Sequence, residues 1–294
     1  MAERSRGTVG PPTGRRPTPM LRLGPRTYDL THRALLMGIL NRTPDSFYDR
    51  GATFGLDDLL RRAEQLVSEG ADLLDVGGVK AGPGPEVDLA EELDRVVAPV
   101  AALTARFDVP VSIDTWRAEV AKEAYAAGAV MGNDISGFAD PGYLAVAAAA
   151  GAAVVATHIR LAPRVRDPEP SYDDVVATVA DFLADRAAQA RAVGIPSEQI
   201  VVDAGLDLGK TAAQSLALLR ASPALAALGY PLLLSASNKT FLGVLFDLTI
   251  DGRRDASLAA AALGLSGGCR VLRVHDVAGT RRVRDALAAV SEAA

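Results

Sequence analysis

Apolar side chains in this chain are gathered into eight short runs: LLMGILN (35–41), DLLDVGG (72–78), PVSIDT (110–115), VMGNDI (130–135), AVVATH (153–158), IVVDAG (200–205), PLLLSASNK (231–239) and CRVLRVH (269–275). They show little of the apolar–polar alternation of a half-buried strand, which marks parallel strands covered on both faces by helices. The stretches between them carry helix-forming Ala, Leu and Arg, and the spacing predicts helices over 57–68, 89–103, 116–127, 142–150, 172–193, 212–219, 255–264 and 283–290. In the first of these, Leu59, Leu60, Ala63, Leu66 and Val67 fall on one side. Eight strand–helix pairs predict an α/β fold, a closed TIM (β/α)8 barrel. Nearly every run ends in a polar or charged residue, and in such a barrel the loops at the strand C-termini carry the chemistry. An open doubly wound sheet is the alternative, but no dinucleotide fingerprint follows the first run and eight regular units do not suit a single crevice.

Composition narrows the class. A chain of 294 residues with 49% hydrophobic content can bury one large core, and no linker interrupts the strand–helix rhythm, so a single domain over 26–294 is expected. Residues 1–25, rich in Arg, Gly, Pro and Thr, have no secretory-type apolar stretch and read as a disordered arm. The apolar stretch 145–156 is shorter than a membrane span and is broken by Gly151. A formal charge of -5 argues against a nucleic-acid surface. Cys269 is the only cysteine, which suits a packing role and a reducing cytoplasm. Lysine is used only at positions 80, 122, 210 and 239, and three of the four follow strand ends, where an ammonium can meet an anion or a carbonyl. Solvated loop lysines are the plainer account, above all for Lys80.

The most informative segment is Met37-Gly-Ile-Leu-Asn-Arg-Thr-Pro-Asp-Ser-Phe47, a strand end running into a loop restricted by Pro44. It resembles the opening signature of the dihydropteroate synthases, which join a dihydropterin pyrophosphate to p-aminobenzoate. The resemblance continues in family order. It runs through DVGG (75–78), SIDT (112–115), NDI (133–135), the histidine of ATHIR at 158, the Asp203 to Thr211 segment ending in GKT, the Ser235 to Gly243 segment containing Lys239, and RVHDV (273–277). It implies that Asn41 contacts the magnesium accompanying the pyrophosphate, and that Arg273 and His275 grip the leaving phosphates, where negative charge accumulates. It further implies a pterin set of Asp114, Asn133, Asp203 and Lys239, whose carboxylates, amide and ammonium match the donor and acceptor edge of the ring. Lys239, Arg273 and His275 would be the catalytic groups. A buried Asp203–Lys239 ion pair is an alternative for those two, and an Asp-linked surface histidine is the alternative for His275, which Asp276 follows. His158 supports the pocket or contacts ligand. Gly205 to Gly209 is one residue short of the spacing of a phosphate-binding loop, so GKT reads as a turn into a helix, with Lys210 structural.

Departures from the family pattern cluster around the second substrate. Ala81 and Gly82 stand where the family has Thr and Arg, with Lys80 one position earlier as a possible substitute cation. Leu208 replaces an aromatic residue, Asp207 places an acid where glycine is expected and would disfavour a benzoate, and Asn238 replaces an Arg. Two readings follow. One is a dihydropteroate synthase condensing 6-hydroxymethyl-7,8-dihydropterin pyrophosphate with p-aminobenzoate, with Mg2+ as cofactor. The other is a catalytically silent or altered-specificity homologue that binds the pterin pyrophosphate; a pterin-recognising methyl transferase is a more distant option. The resemblance also implies a homodimer through helices near the end of the barrel.

Overall fold

The computed structural model describes residues 19–42 and 55–292. The chain begins with a hairpin of β1 (Met20–Leu23) and β2 (Arg26–Asp29), turning at Gly24 with φ 56°. The barrel follows as β3 (Leu35–Asn41), α1 (Leu56–Glu69), β4 (Leu73–Gly77), α2 (Leu89–Arg106), β5 (Val111–Asp114), α3 (Ala118–Ala126), β6 (Met131–Asp134), α4 (Tyr143–Ala150), β7 (Ala153–Thr157) and α5 (Val175–Ala192). It is completed by β8 (Ile200–Asp203), α6 (Ala212–Arg220), α7 (Ser222–Ala226), β9 (Leu232–Leu234), α8 (Thr240–Phe246), α9 (Arg254–Ser266), β10 (Cys269–Val274) and α10 (Val277–Glu292). All eight strands from β3 to β10 are parallel and closed, with β10 returning to pair with β3. The (β/α)8 barrel expected from the apolar runs is therefore the observed fold.

Two apolar layers account for the missing alternation. Outward-facing strand residues such as Leu36, Leu74, Val154 and Val202 pack against the helices, where α1 contributes Leu59, Ala63 and Leu66 at helical spacing. Inward-facing residues form a separate core of Leu35, Met37, Leu73, Met131, Val201 and Val271. Both strand faces are buried, so both are apolar over most of their length.

The expected disordered arm through residue 25 is corrected in its last part. Leu21 and Leu23 of β1, with Leu30 after β2, are buried and join the inner core. Alternation in MLRL is the cause: Leu21 and Leu23 point into the barrel, while Arg22 points away and bonds Gln199. The hairpin thus closes the N-terminal end of the barrel and leaves the strand C-termini as its mouth. Leu21→Ala and Leu23→Ala should each lower the free energy of urea unfolding by about 2–5 kcal/mol, as deletions from a packed interior do; losses under about 0.5 kcal/mol would show that the hairpin is not part of the core.

Candidate functional site

Residues two apart on a strand share a face, so the column that supplies the inner core continues toward the mouth. On β4, Leu73 is followed two residues later by Asp75; on β6, Met131 by Asn133; on β8, Val201 by Asp203; on β10, Val271 by Arg273. One pleat therefore builds an apolar layer and sets a polar layer directly above it.

The polar layer is tied together by Arg273. Its Nε donates to Asp75 Oδ2 at 2.6 Å and its Nη2 to Asp114 Oδ2 at 2.7 Å. Asn133 Nδ2 donates to the same Asp75 oxygen at 3.1 Å, and Asp75 Oδ1 is buried without a hydrogen-bond partner. Burial opposes the Arg273 charge, but Asp75 and Asp114 outweigh it and hold the guanidinium protonated. Burial also raises the Asp114 carboxyl above the ordinary range, with Arg273 opposing and Asp75 and Glu92 reinforcing the shift. Glu92, completely buried, accepts from Thr115 Oγ1 and from Arg117 Nη1, each at 2.6 Å, and so braces the loop after β5.

Above this layer a cavity is lined by Ala81, Asp114, Asn133, Thr157, Asp203, Lys239 and Arg273, with Leu206 and Leu208 adding apolar surface. Burial raises the Asp203 pKa, opposed by the Gly205 amide, which donates to it at 2.8 Å, and by the Lys239 charge. Among the described residues Asp203 and Lys239 share the cavity without forming a direct ion pair, which corrects the alternative of a closed pair. Each retains hydrogen-bonding capacity toward a third group. A second cavity lies behind Ser237 and Asn238, between the β9 loop and α9; its floor of Leu234, Leu258, Ala261 and Leu272 is apolar, and the Arg273 layer is not part of its lining.

The β8 loop is fixed from beneath. Gly205 adopts φ 64°, and a Cβ there would lie 2.0 Å from the His158 carbonyl oxygen, so only glycine fits. The buried Lys210 ammonium donates to the carbonyls of Gly205 at 2.9 Å, Leu208 at 3.0 Å and His158 at 3.2 Å, and lies 2.9 Å from His158 Nδ1. Burial, then the Lys210 charge, push the His158 ring down to about 3, so it is neutral and accepts from Lys210. Lys210 is itself lowered to about 7, chiefly by burial. Thr211 caps α6 in a capping box with Gln214. His158 and Lys210 are therefore supports, and GKT is the turn into a helix that its spacing implied.

At the β10 end, the His275 amide donates to Ser237 Oγ at 3.2 Å, and the same hydroxyl lies 3.0 Å from His275 Nδ1. Burial lowers this ring to about 3, with Arg273, Arg62 and Lys239 adding to the effect. Arg62 of α1 donates to the His275 carbonyl at 2.8 Å. The histidine thus sits among three cations, a surrounding that favours an anion.

Of the residues singled out in the sequence, Asp114, Asn133, Asp203, Lys239 and Arg273 converge on one cavity. Arg273 reaches inward to carboxylates, while His275 sits with Ser237. Asn41 ends β3, half-buried and paired with Gly77; the Pro44 turn of its motif lies outside the described residues. Ala81 and Leu208 line the cavity. Lys80 is not in the lining, and its side chain lies against Gly84, while a Cβ at Gly82 meets nothing within 4 Å. Asp207 requires a correction: its carboxylate accepts from the amides of Thr240 and Phe241 at the start of α8, so its charge is spent on a helix N-terminus. Asn238 adopts φ 58°, a left-handed conformation that asparagine tolerates better than most residues. Asp75, Glu92, Arg62 and Ser237 were not assigned roles from the sequence. Only Asp75 and Glu92 carried a signal, each being a charge on an otherwise apolar face.

No group of three or more His, Cys, Asp or Glu suited to a metal occurs among the described residues. Asn41 supplies one neutral oxygen, which fits a magnesium ion whose remaining ligands are water and substrate phosphates rather than a protein cage.

Comparison with known proteins places this geometry in context. The family model for pterin binding enzymes matches residues 37–275. The chain is 44% identical over 264 residues to inactive dihydropteroate synthase 2 of Mycobacterium leprae, covering 88% of this chain and 91% of that protein. It is 41% identical over 262 residues to the dihydropteroate synthase of Synechocystis, with 88% and 91% covered. The crystal structure of Yersinia pestis dihydropteroate synthase with a sulfonamide drug complex superposes with a TM-score of 0.90 at 37% identity, covering 94% of this chain and all of that one.

The neutral His158 makes stability depend on pH. An unfolded histidine takes up its proton near pH 6.5, whereas the folded ring does so only near 3, so stability present above about 6.5 is lost as the pH falls between these values. His158→Asn cannot titrate in this window. Its unfolding free energy should fall less between pH 7 and 4.5 than that of the unaltered chain, by up to about 2 kcal/mol. Equal losses measured by urea denaturation would contradict the neutral assignment.

Proposed function

The chain belongs to the dihydropteroate synthase family of pterin-binding barrels, and on that premise we propose that it binds a dihydropterin pyrophosphate but has lost or altered the transfer to p-aminobenzoate. The observation that carries this reading is the asymmetry of one cavity. Its floor holds Asp114, Asn133, Asp203, Lys239 and Arg273, whereas its lip is Ala81. The family's Thr and Arg donors are missing there, and Asp207 and Asn238 serve the β9 loop instead of a second substrate. The Mycobacterium leprae relative named inactive is consistent with the same direction.

In this reading Asp203 accepts from the ring NH and amino group, Lys239 donates to the carbonyl side, and Asn133 and Asp114 hold the remaining edge. Asp75 Oδ1, buried and without a hydrogen-bond partner, is an acceptor at the base of the same layer. His275 and Arg273 face the phosphates, with Arg273 exchanging one carboxylate for an anionic oxygen. Magnesium, when bound, would neutralise pyrophosphate charge, with the Asn41 amide oxygen as its protein ligand. Arg273, Lys239 and His275 would favour departure of the pyrophosphate by stabilising its developing charge. Among the described residues, Ala81 and Gly82 offer no side-chain donor to orient an arylamine carboxylate, and positioning of that nucleophile is the larger part of such a transfer. A homodimer is also part of the proposal, because Val244, Leu245 and Phe246 of α8 and Leu263 of α9 leave apolar surface exposed at the end of the barrel.

Calorimetry with 6-hydroxymethyl-7,8-dihydropterin pyrophosphate and magnesium should give saturable binding. Asp203→Ala and Lys239→Ala should each weaken it at least about tenfold, since each leaves a buried partner unmatched. With p-aminobenzoate added, dihydropteroate should form far more slowly than the roughly 1 per second of an ordinary enzyme. Turnover at that ordinary rate would overturn the loss of transfer, and failure of the unaltered chain to bind the pterin would overturn the reading as a whole.

A further inference from the structure

Among the described residues the backbone of Lys239 is held by main-chain contacts, its amide donating to the Ala236 carbonyl at 3.2 Å, and not by a side chain. It precedes α8 and supplies no side-chain cap, so the first amides of that helix need an acceptor from elsewhere. Asp207, more than thirty residues earlier, provides it. The carboxylate accepts from Thr240 N, and from Phe241 N at 3.2 Å through Oδ1 and 3.3 Å through Oδ2. Asp207 is itself held in place: its φ is 68°, and its amide donates to Ser215 Oγ of α6 at 3.2 Å. On the other side of Lys239, the Asn238 amide donates to Ser257 Oγ at 3.0 Å and its carbonyl accepts from Arg253 Nη1 at 2.9 Å. Lys239 is thus bracketed, with α9 and the loop before it holding the preceding residue and Asp207 holding the two that follow.

We propose that Asp207 is a positioning residue for Lys239. It locks the loop that carries Asp203 to the start of the helix that follows Lys239, and so fixes the spacing of the carboxylate and the ammonium across the cavity. No direct ion pair joins those two groups, so their separation depends on how their backbones are held, and among the described residues the side-chain link between the β8 loop and the start of α8 is this clamp. The acid at 207 thereby has a function where a second-substrate role has been lost: its negative charge meets the positive end of α8 and leaves the cavity cationic at Lys239. This inference rests on the pterin reading above, because the consequence of moving Lys239 is read through pterin affinity.

The test is a double-mutant cycle with calorimetry of 6-hydroxymethyl-7,8-dihydropterin pyrophosphate and magnesium, at a temperature where thermal unfolding shows every variant folded. Asp207→Ala should weaken binding roughly five- to thirtyfold, the range expected for losing a helix cap. Asp207→Asn, whose amide oxygen still accepts an N–H, should recover most of it and keeps the test open if the alanine variant fails to fold. In a Lys239→Met background, Asp207→Ala should change affinity by less than about twofold, since the group being positioned is gone. Equal penalties in both backgrounds would show that Asp207 does not act through Lys239 and would overturn the proposal, as would an Asp207→Ala chain that binds within twofold of the unaltered one. If the unaltered chain does not bind, the pterin reading fails and this inference with it; binding by the unaltered chain with no coupling between Asp207 and Lys239 rejects the inference only.

Discussion

Arg273 places a full charge inside the barrel, and the polar layer is organised around making that tolerable. β10 is bonded to β3 and β9, so the contacts of Arg273 with Asp75 on β4 and Asp114 on β5 cross the barrel interior. A lone buried guanidinium would cost far more than the fold could supply, whereas one shared between two carboxylates, with Asn133 on one of them, is satisfied. The bridge fixes the position of three strand ends relative to one another. It also leaves two carboxylates, Asp114 and Asp203, facing two cations, Arg273 and Lys239, in one cavity floor, with Asp75 buried beneath it. Such a floor is matched by a ligand rich in N–H donors on one edge and anionic at the other end.

Around this floor the loops are held by two kinds of contact, buried side chains and links from one loop to another. Lys210 belongs to the first kind: one ammonium gathers three carbonyls and a neutral imidazole beneath the β8 loop. Arg164 holds the β4 loop differently. Its amide donates to the Ala81 carbonyl at 3.1 Å and its guanidinium to that of Pro85, so the segment replacing the family's Thr and Arg is fastened to the loop after β7. Ala81 and Gly82 offer no polar side chain here, and contacts between the two loops hold the segment instead.

Much of this was readable before the fold was known, for identifiable reasons. The run LLMGILN became β3 at the same residues, and the other strands start within one and stop within two positions of their runs, except β9, which ends at Leu234 where the run turns polar, because burial on both faces leaves a contiguous apolar signature. Asp203, Lys239 and Arg273 stand at strand ends, and a barrel sends its strand ends to one mouth. The hairpin was missed because four alternating residues beside a polar, Pro-rich stretch resemble a tail, and their partner is the barrel interior rather than a neighbour in sequence. Asp207 was misjudged for a related reason. From composition it is an acid beside a pocket, and only the approach of α8 turns it into a cap.

By itself the sequence determined the number and order of the elements, the parity that sets a polar residue two places beyond an apolar one, and the chemical types gathered at the mouth. These are local properties, carried by periodicity and by the identity of each side chain. Tertiary structure alone decided which charges meet. Arg273 bonds across the barrel to Asp75 and Asp114, Lys239 stands near Asp203 without joining it, and Asp207 turns from the cavity to α8. Such pairings link residues up to nearly two hundred positions apart. They are set by distances of a few ångströms and by the loss of water around each group, quantities that exist only once the barrel has closed.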